Sequence, residues 1–513
     1  MTSSNTYTER LGRYCLAIAA AAACFLASSC GGGGGGASGT NLSNAPTPVA
    51  ITCNNGGVPA ASLISAGTGQ FASQIAACEK GLPTLLVPTT GNCVPVILDA
   101  GPCAYSVPLG SPSGTQPTVH VVNSANVPYT AVTICAPGST TACQTIDHIL
   151  VDTGSTGLRI MASVLTSSIQ LPGISDSTGA PLIECVQFAD GYSWGSIRTA
   201  DVRLAGQVAQ GIPVQIVGDS TAYTAPSTCY NSTPTPLNAL NDVASFGANG
   251  VLGVGLFKQD CGPNCVGNTT TQFFYYTCPT TTTCSSFGPA LNQQITNPVA
   301  AFASNNNGVL LQFSAVPVTS GALNLLGTLT FGINTQTNNQ ATASTLNTYF
   351  ADPQSGDFIS TLLSSTGGYS VPTAPFANSF IDSGSNAIYF PNTGTGTVIP
   401  TDTTYLWFLP SVPNGSPVDV INITATQQSY NSGTAGPHSF SFPIANANTV
   451  LFPSGGGNNT VFNGLGAPSS GTGTTGGVDW GLPFFLGKSV FVGIESNTTS
   501  VAGTPRTGPF WAY

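Results

Sequence analysis

Charge is what this 513-residue chain has least of. Asp, Glu, Lys and Arg make up 5% of it, with 9 Lys+Arg against 19 Asp+Glu and a formal net charge of −10. No basic run occurs anywhere, which excludes the electrostatic footprint of a nucleic-acid binder or a reader of anionic membrane surfaces. An ordinary cytosolic enzyme carries about a quarter charged residues, so that class is excluded as well. Histidine occurs three times, as His120, His148 and His438. None sits at ligand spacing from a cysteine pair, so neither a metal nor an organic cofactor is expected. Helical periodicity is scarce, with short candidates only at 237–246 and 290–303. What is abundant is Gly (61) and Pro (38), beside 41% hydrophobic residues. So much apolar material with so little charge indicates a folded, polar-neutral protein rather than a disordered one.

The first residues account for part of this. Arg10 and Arg13 precede an apolar stretch from Tyr14 to Ala27, followed by Ser28-Ser29-Cys30 and six glycines. A charged start, a short apolar run and small residues before a cleavage point predict a signal peptide over 1–29. The apolar run is too short to span a bilayer as a helix. Small residues ahead of a cysteine, then a flexible glycine tether, resemble a bacterial lipobox, with Ala27 where Leu is usual. The resemblance implies lipidation at Cys30. Of 15 cysteines, Cys15 and Cys24 leave with the signal and Cys30 carries the lipid; twelve remain, all before residue 285. An even number in an exported protein predicts up to six disulfides. Cys261 with Cys265, and Cys278 with Cys284, are each spaced to staple a short loop.

Beyond residue 93 the pattern is that of strands. Val94-Pro-Val-Ile-Leu98, Val119-His-Val-Val122 and Tyr129-Thr-Ala-Val-Thr-Ile134 are β-branched runs separated by Gly, Pro, Ser and Asn. The chain is expected to be all-β. The division expected is a tether and cysteine-containing extension over 30–93, a first lobe over 94–315 and a second over 316–513. Within the first lobe, the Thr- and Cys-rich segment 261–287 is expected to be a surface insertion. Glycine-rich stretches at 454–477 predict long loops.

One motif occurs twice. His148-Ile-Leu-Val-Asp152-Thr153-Gly154-Ser155 and Ser379-Phe-Ile-Asp382-Ser383-Gly384-Ser385 both run apolar, Asp, Ser/Thr, Gly, Ser. A single Asp-Ser/Thr-Gly is weak, since on the order of half an occurrence is expected by chance in a chain of this composition. Two copies, each leaving an apolar strand, are a stronger signal. A strand end delivers the Asp into a cleft, and Gly turns the backbone with its N–H free to donate to the carboxylate. The Thr or Ser hydroxyl can tie one lobe to the other, and the second Ser can bond the outer carboxylate oxygen. Two carboxyls facing across a cleft cannot both ionise, so they share a proton. One then acts as base on a water while the other polarises or protonates a carbonyl.

With these motifs the chain resembles the pepsin-like aspartic peptidases over about residues 94–513. Asn249-Gly250-Val-Leu-Gly253-Val-Gly255 is similar to the family's apolar-apolar-Gly segment. Leu323 to Asn334 is similar to the strand at the interlobe region, and Trp480 to Glu495 to the closing segment, with Pro483 where the family has Gly. Glu184 to Gly206 falls where a flap hairpin covers the substrate. Phe188 stands at the flap's usual Tyr, with Tyr192 and Trp194 as alternatives, and Arg159 stands at the family's Trp. The resemblance implies a bilobal fold with a central cleft and an endopeptidase of acidic optimum. It implies Asp152 and Asp382 as catalytic residues supported by Thr153, Gly154, Ser155, Ser383, Gly384 and Ser385. The glycine-tethered layout also resembles an uncharacterised proteobacterial lipoprotein family. A polypeptide substrate, a monomeric state, a membrane link through the lipid alone, and a place in the bacterial cell envelope or outside the cell follow as expectations.

Other readings compete. Gly191-Tyr-Ser193-Trp-Gly195 matches the Gly-x-Ser-x-Gly nucleophile elbow, but that motif needs a helix after it, and β-branched sequence follows. A hairpin is the better expectation. His148 is expected to be a strand residue with a satisfied ring, and Arg159 to answer a nearby carboxylate. The principal functional alternative is a pepsin-like fold that binds peptide or glycan without catalysis.

Overall fold

The computed structural model describes residues 59–61, 85–106, 115–219, 223–230, 236–268, 274–393, 396–411, 419–431, 437–451, 458–469 and 476–513. Signal peptide, Cys30, glycine tether, Cys53 and Cys78 lie outside these residues. The described chain is almost entirely β, with only brief helical turns such as Val243–Phe246 and Leu482–Phe485.

Each Asp motif sits in the same local arrangement. In the first lobe, Cys143–Asp152 lies antiparallel to Pro128–Cys135 and parallel to Gly250–Val254, which in turn pairs antiparallel with Thr156–Met161. In the second, Phe376–Ile381 lies antiparallel to Phe358–Ser365 and parallel to Asp479–Trp480, which pairs antiparallel with Ile388–Phe390. Both Asp-bearing strands are therefore central in their sheets, with Val151 and Ile381 beside the two Asp residues fully buried. The return strands also match, with Thr156–Met161 parallel to Gln207–Val217 and Ile388–Phe390 parallel to Gly466–Pro468.

The main sheet continues from the first copy through Cys93–Leu98, Leu325–Phe331, Gly308–Phe313, Ser489–Gly493, Phe510–Ala512 and Thr348–Phe350, while the strands around the second motif form a separate seven-stranded sheet. The order is symmetric about the pairing of Gly308–Phe313 with Ser489–Gly493. By that pairing, Leu325–Phe331 belongs with the first copy. The fold is thus two related β lobes joined by a shared sheet, as expected from the doubled motif. A continuous core of Val, Ile, Leu and Phe runs through both lobes, with Trp480 and Trp511 fully enclosed.

Three expectations need correction. The segment 261–287 is more than a surface loop: Tyr275–Thr280 pairs with Leu182–Gln187 and extends the main sheet at its edge. Its adjacent Tyr275 and Tyr276 are buried, which gives the segment an apolar anchor that its Thr-rich composition masks. The glycine-rich stretch 454–477 contains a paired strand, Gly466–Pro468, rather than loop alone. Pro483 does not replace the glycine beside the second Asp: Trp480 C=O accepts from Asp382 N–H, which puts Gly481 at that place.

Disulfides join Cys135 to Cys143, Cys185 to Cys229, Cys261 to Cys265 and Cys278 to Cys284. Both short staples read from spacing are present. Cys93 and Cys103 are disulfide-bonded as well.

Candidate active site

The two Asp-Ser/Thr-Gly-Ser turns face each other across the lobes. Thr153 Oγ1 donates to Ile381 O at 3.1 Å and accepts from Ser383 N at 2.9 Å. Reciprocally, Ser383 Oγ donates to Val151 O at 2.7 Å and accepts from Thr153 N at 3.1 Å. Four hydrogen bonds between residues about half the chain apart hold the two turns back to back, buried from water, where such bonds are strongest.

That grip brings the carboxyls together. The two carboxyls stand side by side: a Cβ on Gly384 would lie 2.8 Å from Asp152 Oδ1 and 3.1 Å from Asp382 Oδ1. Gly154 N donates to Asp152 Oδ1 at 2.8 Å and Gly384 N to Asp382 Oδ1 at 2.7 Å. Ser155 Oγ donates to Asp152 Oδ2, and Ser385 Oγ lies 2.9 Å from Asp382 Oδ2. Each glycine is required by space. A Cβ on Gly154 would lie 2.6 Å from Asp382 Cγ, and one on Gly384 would lie 2.8 Å from Asp152 Oδ1. Burial, and next the charge of the adjoining Asp152, hold the Asp382 carboxyl well above the ordinary carboxylate range. A carboxyl kept protonated beside another carboxyl is the arrangement a shared-proton pair requires.

The carboxyls open onto a cleft lined by Val127, Leu150, Phe188, Asp190, Leu240 and Phe246 among others, a mostly apolar space with few polar groups. One wall is the tip of the hairpin formed by Leu182–Gln187 and Gly191–Leu204. Phe188 lies at the turn, lines the cleft and stands edge-on to Phe246, ring centroids 5.4 Å apart. Asp190, in the same turn, has its carboxyl pushed up to about 6 by burial.

The other two flap candidates are elsewhere. The Trp194 ring is buried against Tyr276 and its Nε1 donates to Tyr223 O at 3.0 Å. Tyr192 packs on Tyr230 with centroids 5.7 Å apart. Strand alternation from Phe188 turns both into the hydrophobic cluster around Cys185 and Cys229, away from the cleft. Ser193 is a fully buried strand residue beside Gln215, which dismisses the nucleophile elbow.

Arg159 and His148 have structural partners. The Arg159 guanidinium contacts Glu184 at 2.7 Å and Asp260 at 3.1 Å, tying the flap strand to the segment containing Tyr275. His148 lies between Asp147 at 2.9 Å and Asp99 at 3.3 Å. Although burial opposes its charge, those two carboxylates raise the imidazole pKa well above the usual value.

Two features of the site were missed in the sequence. Asn126 donates to Asn386 O and Phe462 O at 2.8 and 2.9 Å and accepts from Phe462 N, a second tie between the lobes. Asp479 is buried beside the second motif, its Oδ2 2.6 Å from Ser385 Oγ. An Asp just before Trp480-Gly481, where the first lobe has the apolar Val251, is the one visible hint. Among the described residues no group of three or more His, Cys, Asp or Glu is arranged to hold a metal ion.

The chain belongs to the family described as "Protein of unknown function (DUF3443)", whose model matches residues 113–513. No curated protein matches it. Among solved structures it is similar to the aspartic proteinase from Irpex lacteus, with 16% identity and a TM-score of 0.39. That match covers 75% of this chain and 93% of the other.

Proposed function

We propose that this member of a family without an assigned function is an aspartic-type endopeptidase that hydrolyses peptide bonds at acidic pH. Asp152 and Asp382 act as one unit with a single shared proton. The ionised carboxyl takes a proton from a water held between them as that water attacks the substrate carbonyl. The protonated carboxyl donates to the carbonyl oxygen, giving a tetrahedral diol, and proton return to the nitrogen releases the amine. Gly154 and Gly384 N–H groups and the Ser155 and Ser385 hydroxyls keep both carboxyls in place, so little reorganisation is needed during reaction. Phe188 covers the substrate from the flap with apolar contact only.

The observation that carries this reading is the reciprocal hydrogen bonding of Thr153 and Ser383, which holds two carboxyls side by side at the floor of an apolar cleft. A protein that only binds peptide or glycan has no physical need for two carboxyls that repel. The setting that fits the sequence is an exported monomer, lipid-anchored through Cys30 in the bacterial cell envelope or released outside it, acting on polypeptides. Low charge density suits acid conditions, since few ion pairs are lost there.

The test is digestion of a denatured protein and a mixed peptide library by the lipid-free chain from about pH 3 to 7, with and without a statine-type inhibitor. Cleavage at the acid end, abolished by the inhibitor, is expected. No cleavage from a well-folded chain across the whole range would overturn the proposal in favour of the non-catalytic binder.

A further inference from the structure

Ser385 Oγ stands between two carboxyls. It is 2.9 Å from Asp382 Oδ2 and 2.6 Å from Asp479 Oδ2. A hydroxyl carries one hydrogen and can donate to one partner at a time. If it donates to Asp382, the short contact to Asp479 is favourable only when Asp479 supplies the proton. Asp479 is 1% exposed, and its other oxygen, Oδ1, has no hydrogen-bond partner among the described residues. A buried carboxylate with an empty oxygen is costly, whereas the neutral acid satisfies Oδ2 and leaves only a weak acceptor bare.

We propose that Asp479 is a positioning residue that bears a proton at Oδ2, donates it to Ser385 Oγ, and so fixes the serine hydroxyl as a donor to Asp382. This rests on the peptidase reading for its catalytic meaning, though not for its proton. It makes the dyad unequal. In the first lobe the register partner of Val151, Leu252, follows Val251; in the second, that of Ile381, Trp480, follows Asp479. Ser155 therefore has no such carboxyl behind it from this strand. The ionisable groups around Asp479 are Asp382, Asp152 and Tyr389, the last paired with it in register but hydrogen-bonded to Asn386 at 2.6 Å. Burial above all, with Asp152 adding to it, holds the Asp479 carboxyl well above the usual range, although the Ser385 contact, as a donor to the carboxylate, pulls the other way.

Infrared spectroscopy of the full chain near neutral pH, with no substrate present, tests this first. The carbonyl stretch of a protonated carboxylic acid is expected, and Asp479→Asn should remove one component of it. Ser385→Ala should keep that component but move it to higher frequency, because the acid loses its acceptor. In peptide hydrolysis, Asp479→Asn replaces one neutral donor by another and should leave the alkaline limb of kcat/KM within about 0.3 pH units of the parent. Asp479→Val cannot hold the serine and should lower kcat on the order of tenfold with KM little changed. Loss of no infrared component in Asp479→Asn would overturn the proposal. So would an alkaline limb displaced about one unit or more toward acid, since that requires removal of a negative charge. If the chain hydrolyses no peptide at all, the peptidase reading falls while the infrared arms still decide the proton on Asp479.

Discussion

Replacing Thr153 by Val tests the contact on which the whole site depends. Val keeps the shape of Thr but deletes the hydroxyl. Ser383 N–H, buried with its donor aimed at that hydroxyl, is then stranded at a cost of about 1–3 kcal/mol. Ile381 C=O loses a donor as well, worth about 0.5–1.5 kcal/mol. Together these give a destabilisation of roughly 1.5–4.5 kcal/mol. Thr153→Ser is the control: it keeps both hydrogen bonds and loses one methyl, about 0.8 kcal/mol. Urea titration followed by tryptophan fluorescence reads the difference, since Trp480 and Trp511 lie in the core of the two-lobed body. Ser383→Ala strands Thr153 N–H in the same way, and the double substitution should cost less than the sum of the singles by at least about 0.5 kcal/mol. If Thr153→Val unfolds within about 0.5 kcal/mol of Thr153→Ser, with the two sites additive, the reciprocal grip does not join the lobes.

Other outcomes follow from the same geometry. Gly154→Ala places a methyl against Asp382 Cγ, so it should abolish peptide cleavage while circular dichroism stays native, whereas Gly173→Ala, whose Cβ would come no nearer than 3.9 Å to Arg198 Nη1, should leave cleavage intact. The contributions of three groups with raised pKa values should fall as pH rises. His148, whose pKa is raised in the fold, contributes fully below about 6.5 and loses that contribution as pH climbs through its folded value. The raised carboxyls of Asp382 and Asp479 act in the same direction, because the folded chain holds protons there that the unfolded chain has released above about pH 4. His148→Gln should flatten the alkaline part of a plot of Tm against pH, and an unchanged slope would dismiss the ion cluster as its source. Removing the Cys185–Cys229 bridge by double Ala substitution opens a loop of 44 residues and should cost up to about 4 kcal/mol in urea titration. Phe188→Ala should raise KM for peptides with little change in Tm, because that ring lines the cleft.

The parts of the site legible in sequence are those whose chemistry is written in consecutive residues. Asp, Ser/Thr, Gly and Ser must be adjacent for one turn to carry the carboxyl, the lobe tie and both supporting donors, so both copies stand out even in a Ser/Thr/Gly-rich chain. The all-β fold is legible for a similar reason, since β-branched runs between turn residues are a local signal. What depends on distant pairing is not legible. Asp479 meets Ser385 across 94 positions of sequence and from a strand of two residues, too short to show a period. Trp194 looks like a flap residue by spacing, but the pairing of its strand with Leu182–Gln187 turns it into the core. In 261–287, Thr and Cys suggest a loop, while the tyrosines that bury it gain their meaning only from the strand they pack beside. Arg159 could be matched to a carboxylate by scarcity of charge alone, but that Glu184 and Asp260 share it required the fold.

The most direct measurement is peptide cleavage at acid pH by three preparations made alike: the parent chain, Asp152→Ala and Asp382→Ala. Each variant is first shown to be folded by its urea midpoint. The expected result is cleavage by the parent and none by either variant, since one carboxyl alone cannot be both base and acid to the same water and carbonyl. Cleavage that survives both substitutions would contradict the central claim, because the activity would then reside in some other site.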